Sequence, residues 1–166
     1  MNRLLLFIQV GVLALLPISE LRGAIPFAIA KGIPWYVAYP FAAAINCLVA
    51  PGCWLFLSTV HRLLLGLSNT RLFHWYGVFM DRFLSRAREK LRGGISRWGW
   101  LGLAIFVAIP LPFTGAWTGS FGAWMLGMSK TRTILAVMLG VVIAGGIVTL
   151  VAMLGIQAFS IFLKHL

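Results

Sequence analysis

The amino-acid sequence predicts an all-α integral membrane protein with two pseudo-inverted repeats, each a Pro-broken re-entrant hairpin plus a spanning helix, and a central cationic interfacial helix between them. Three observations carry that expectation. Of 166 residues, 61% are hydrophobic and only 10% charged, whereas soluble domains run near half and a quarter, so lipid rather than water is the expected solvent. Charged residues divide the chain into four uncharged runs, 4–19, 32–61, 98–129 and 133–163. An order of apolar piece, Pro-marked polar break, short apolar piece, basic residue and long apolar run occurs twice, as in the duplicated folds of many transporters. A soluble enzyme and a disordered tail are excluded.

The chain divides as a single membrane domain, 1–166. Its first repeat is 1–60 with a break at 17–26, a cytoplasmic amphipathic loop follows at 61–97, and the second repeat is 98–166 with a break at 110–122. Residues 2–16 form a short apolar helix that stops at Pro17. Its charged start looks like that of a signal peptide, but PISELRGA is a poor cleavage site, and the segment is read as part of the mature protein. Crossing about 30 Å of hydrocarbon takes about 20 residues, so this helix does not reach across alone. After SELRGAIP, 19–26, a second short apolar piece ends at Lys31. The run 32–61 is long enough to span, kinked by Pro34, Pro40 and Pro51. Its two cysteines, Cys47 and Cys53, belong to no CxxC pair and read as small packing residues.

The second half repeats the plan. Residues 98–109 form a short helix before Pro110 and Pro112, FTGAWTGSFG follows at 113–122, and a short apolar piece ends at Lys130. The run 133–163 spans, loosened by Gly140, Gly145 and Gly146, with small-residue spacing near Gly140 that suits helix packing. Irregular backbone survives in lipid only where protein or a water-filled cavity satisfies its N–H and C=O groups. Each break is therefore a re-entrant turn or a kink in a spanning helix, and hydrophobic length favours the re-entrant form. In that form the central loop, Lys130 and Arg132 lie inside; with four kinked spans, the loop, Arg3 and Lys164 do.

Net charge is +11, and eight of the fourteen basic residues lie between 62 and 97, the positive-inside pattern of a cytoplasmic loop. Within it Leu72, Tyr76, Phe79, Met80, Phe83, Ala87 and Leu91 recur at helical spacing, opposite Arg82, Arg86, Arg88, Lys90 and Arg92. That is an interfacial helix whose expected partners are anionic lipid headgroups, with nucleic acid not expected. Self-association into a homo-oligomer is left open.

Of three acids, Glu20, Asp81 and Glu89, only Glu20 lies in an apolar half. A carboxylate at membrane depth is by default a functional candidate, able to take up and release a proton. The bland alternative is a closed pair with Arg22 or Lys31. Arg22, and in second rank Lys31, are candidate anion contacts, since a guanidinium suits phosphate through its planar fork of donors. In the second break Thr114, Thr118 and Ser120 offer hydroxyls, while Gly115 and Gly119 let a ligand approach the backbone. Trp117 is a second-rank candidate that more often packs or anchors, as does Trp124. No nucleophile with its base, no metal set and no cofactor motif is present, so catalysis, metals and cofactors are not expected.

LPISELRGAIP at 16–26 together with IPLPFTGAWTGSFGAWMLGM at 109–128 closely resembles the small multidrug export protein family of prokaryotic membrane proteins. That family looks distantly similar to the DedA superfamily, which implies two opposed re-entrant hairpins, transport of lipid phosphates and a multi-pass inner-membrane location. By that resemblance Glu20 matches the acidic position of the first hairpin and 110–128 the second-hairpin motif. Where DedA proteins place an arginine after the second turn this chain has Phe113, Thr114 and Gly115, which leaves Arg22 as the substitute. The expected function is transport of an anionic amphiphile such as a lipid phosphate, with Glu20 as proton carrier. The alternatives are a proton-coupled small multidrug exporter and a non-transporting membrane scaffold.

Overall fold

The computed structural model describes residues 2–67, 82, 85, 99–111 and 114–164, and among them are seven α-helices and no strand. These are α1 (Arg3–Leu15), α2 (Glu20–Ala30), α3 (Trp35–Cys47), α4 (Val49–Leu67), α5 (Gly99–Ala108), α6 (Ala116–Met125) and α7 (Lys130–Lys164). Of the expected interfacial helix only Arg82 and Ser85 are described, the Ser85 hydroxyl donating to the Arg82 carbonyl at 3.1 Å; Arg86, Arg88, Lys90 and Arg92 lie outside the described residues. So do Pro112 and Phe113.

Helix length sorts the elements into two kinds. At 1.5 Å per residue, the 13 residues of α1 and the 10 of α5 and α6 give about 15–20 Å, half a bilayer core. Two stretches, Trp35–Leu64 and Lys130–Gly155, are long and apolar enough to cross. The first is jointed at Leu48, between α3 and α4, one turn ahead of Pro51; Pro40 sits inside α3 without ending it. The second runs unbroken through Gly140, Gly145 and Gly146.

Both breaks are shorter than expected. The chain turns at residues 16–19 and is helical again from Glu20, with Pro26 inside α2. One proline removes one helical hydrogen bond, and the flanking turns hold. In the second half α6 begins at Ala116, so Thr118, Gly119, Ser120 and Gly122 belong to a helix rather than to the break.

The halves share a detail that spacing alone did not reveal. Helices α2 and α6 both end in a left-handed glycine, Gly32 (φ 85°) and Gly127 (φ 70°). In each, the N–H after the glycine reaches back to Ala28 or Ala123 and the glycine's own N–H to Ile29 or Trp124. This doubly bonded stop satisfies the last carbonyls and releases the chain, three residues later, into one of the two stretches long enough to cross.

Packing is inverted in size relative to a water-soluble core. Buried positions are mostly alanine and valine, among them Ala14, Ala24, Ala28, Ala42, Ala116, Ala136 and Val137, whereas Leu4, Ile8, Leu55, Phe56, Leu135 and Leu150 point outward. Small residues let helices approach closely, and large apolar ones suit a lipid-facing exterior. Helix α7 is the spine: α5 packs most extensively on it, and α2, α3 and α6 lie against it too. A β-carbon at Gly140 would lie 2.7 Å from the Ala104 carbonyl oxygen, and one at Gly145 would meet the Tyr39 ring. Tyr39 donates its hydroxyl to the Val142 carbonyl at 2.9 Å, joining α3 to α7.

Candidate functional site

The two turns meet. Proline stops α1 and α5, leaving carbonyls at both helix ends without intrahelical partners, and side chains that follow the second turn cap both. The Trp117 indole N–H donates to the Leu15 carbonyl at 2.9 Å, capping the end of α1 from 102 residues away. The Thr114 hydroxyl donates to the Ile109 carbonyl at 2.6 Å, closing the end of α5, and accepts from Arg22 Nη2 at 3.2 Å.

Glu20 completes the joint. Its carboxylate Oε1 accepts the Trp117 backbone N–H at 3.4 Å, so a side chain of α2 lies at the N-terminus of α6, where unpaired N–H groups and the helix dipole favour a negative charge. Gly115 makes this approach possible, because a β-carbon there would overlap the Glu20 carboxylate. Glu20 is 8% exposed. The closed pair with Arg22 or Lys31 is not what forms: the carboxylate faces α6 and the guanidinium faces Thr114.

Around the joint lie two cavities. A small one of about 10 Å³ is lined by Glu20, Leu21, Arg22, Asn46, Val107, Ala116, Val141 and Ala144. An open groove of about 250 Å³ is lined by Arg22 and by the apolar Pro26, Pro110, Ile147, Val148, Val151 and Ala152. Arg22 thus lines both the small cavity, which it shares with Glu20 and Asn46, and the apolar groove, with one described hydrogen bond and donors to spare.

The expected candidates separate accordingly. Glu20, Arg22, Thr114, Gly115 and Trp117 come together. The Thr118 hydroxyl is taken by its own helix, accepting the Gly115 N–H at 3.1 Å, and the side chain is exposed. A β-carbon at Gly119 would meet Val107, and Thr118 and Gly119 line a different cavity of about 290 Å³ together with Gly102, Phe106 and Leu126. Ser120 is buried in the α6 contact with no partner for its hydroxyl. Lys31 lies at the far end of α2, where with Arg3 it lines a separate cavity of about 590 Å³. Trp124 packs edge-on against His61, with ring centroids 5.4 Å apart.

Asn46 is the residue that sequence reasoning missed. It is fully buried on α3, lines the Glu20 cavity, and neither amide atom has a partner. A signal was available: it is the lone amide in the uncharged run 32–61.

Fold and site together define an all-helical membrane protein in which two proline-stopped helix ends interlock around a buried carboxylate and an arginine. The match to a family model over residues 20–147, from Glu20 itself to the α7 wall of the groove, shows that the chain belongs to the small multi-drug export protein family. No curated protein and no solved structure matches it.

Proposed function

We propose that this export-family protein moves an anionic amphiphile, such as a lipid phosphate, through the joint between the two turns, with Glu20 carrying a coupled proton. The observation that supports this best is the position of Arg22, which lines an apolar groove together with Pro26, Pro110 and α7 while retaining donors beyond its bond to Thr114. A headgroup at Arg22 with its chain along Ile147 and Val151 satisfies both halves of an amphiphile. Its place beside Thr114 also fits the DedA-like expectation that an arginine serves the second turn.

Coupling follows from competition. An ionised Glu20 offers its charge to the α6 N-terminus and to nearby Arg22, the groups an incoming anion would use. Protonation of Glu20 releases both, so proton and anion occupy the site together. In this reading each pair of short helices is a re-entrant hairpin, the two enter from opposite faces, and each half crosses once in an inner membrane with the central loop inside.

The family description favours a second reading, export of cationic or hydrophobic drugs against a proton gradient. The two readings differ at Arg22: an anion site needs it and a cation site does not. In liposomes reconstituted with the protein and labelled lipid phosphate, Arg22→Gln should abolish transport of the anion. Glu20→Gln keeps the shape and an acceptor for the Trp117 N–H, so the protein should fold and bind yet lose pH-driven transport. A well-folded Glu20→Gln protein that still accumulates substrate in response to a pH difference ends the proton-carrier assignment. Absence of transport by the unaltered protein, of the lipid phosphate and of drugs alike, would favour the scaffold reading.

A further inference from the structure

Among the described residues, Asn46, Ser120 and Thr133 are at most 1% exposed and carry side-chain polar atoms without hydrogen-bond partners. They come from three helices, α3, α6 and α7. An orphaned buried polar group is destabilising, and valine or alanine would fill the same space without that cost. Three such groups in one small bundle call for a common reason.

Their register supplies it. Asn46 lines the Glu20 cavity, whose volume of about 10 Å³ is close to what one water requires. Ala116 lines the cavity from α6, and Ser120 is the next residue on that face, one turn further along. From α7 the cavity is lined by Val141, and the same buried face continues back through Val137 to Thr133. The two helices stay side by side over this distance, since a β-carbon at Gly119 would lie 3.9 Å from Val137 Cγ2. Ser120 and Thr133 therefore succeed the cavity in steps of about 6 Å, toward the Lys130 end of α7. An amide and two hydroxyls each donate and accept, as a relay of water requires.

We propose that Asn46, Ser120 and Thr133 form an internal hydration path that delivers protons to Glu20 from the Lys130 end of the molecule. The path rests on the proton-carrier reading of Glu20 and adds a direction to it: the substrate meets Arg22 from the groove, and the proton arrives from the other side. Among the described residues, Arg22 is the only other ionisable group that lines the Glu20 cavity; α2 also contributes Leu21, α3 Asn46, α5 Val107, α6 Ala116, and α7 Val141 and Ala144. Among these lining residues nothing charged besides Arg22 meets the route at its inner end.

The test is infrared difference spectroscopy of the full-length protein in lipid nanodiscs after a pH jump, with the Glu20 carboxyl band identified by its loss in Glu20→Gln. Ser120→Ala combined with Thr133→Val should slow appearance of the protonated band by about tenfold or more, with its end-point amplitude unchanged. Thr133→Ser, which keeps the hydroxyl, should retain the original rate. Because apolar isosteres remove orphaned groups, Thr133→Val alone should melt at or above the temperature of the original protein, so slowing is not a symptom of misfolding. Should the double variant fail to fold, Asn46→Leu and Thr133→Val singly are expected to show the same slowing. An unchanged rate in well-folded variants overturns the path and leaves Glu20 as carrier. A Glu20 band that never titrates overturns both.

Discussion

Glu20 has a φ of 45°, a left-handed backbone that costs an ordinary residue about 1–2 kcal/mol. Its carboxylate accepts the Trp117 N–H at 3.4 Å, a long bond that recovers part of this cost. Glycine, which the backbone prefers, would lose the contact across the two turns. The same geometry makes Gly115 and Glu20 energetically dependent on each other. Gly115→Ala places a methyl where the carboxylate sits and should lower thermal stability in detergent, while in a Glu20→Gly background it should cost far less. The double-mutant cycle is expected to yield a coupling of about 0.5–3 kcal/mol; additive effects would mean that the two residues do not touch. Charge in an apolar run was enough to mark Glu20 and Arg22. Their partners were not legible, because Thr114 and Trp117 lie 92 and 97 residues away and only the fold brings them near.

The three glycines in the middle of α7 read from sequence as loosening, yet the helix is continuous and they do different work. Gly140 admits the Ala104 carbonyl and Val107 of α5, and Gly145 admits the Tyr39 ring, whereas a β-carbon at Gly146 would meet nothing within 4 Å. Gly140→Ala should therefore destabilise by about 1–3 kcal/mol through overpacking. Gly146→Ala should be neutral or stabilise by about 0.4–1 kcal/mol, because it only reduces the freedom of the unfolded chain. Melting curves of the two purified variants decide the matter, and equal melting temperatures would contradict the α5–α7 contact. Proline placement was equally double-valued. Pro17 and Pro110 follow the ends of α1 and α5 and Pro40 lies within the first long stretch, as expected, but Pro26 sits inside α2 rather than in the break, since one missing hydrogen bond does not outweigh the packing of the turns on either side.

The inside-out distribution of residue size, alanine within and leucine without, belongs to the whole molecule and fits a lipid surround. Sidedness is the open quantity there, and the proposed re-entrant topology fixes it: Lys31 on one face, Lys130 and the basic loop on the other. Single-cysteine variants labelled in intact cells by a membrane-impermeant maleimide should react at position 31 and stay silent at 82 and 130. Labelling at 130 from outside would replace re-entrant hairpins with four crossings, without altering the helix contacts.

Composition and charge spacing by themselves determined that this is a helical membrane protein, with two stretches long enough to cross and two short pairs of helices interrupted at proline. Those properties are local: apolar length, missing N–H groups and the position of charge are written residue by residue. Only the tertiary structure decided that the interruptions lock into each other, that Glu20 faces the α6 N-terminus rather than Arg22, that Lys31 lies apart from the site, and that Asn46 belongs to it. Hydrogen bonds between turns about a hundred residues apart have no signature in local sequence, because their partners are chosen by how α2, α5 and α6 pack on α7 and not by what precedes or follows them in the chain.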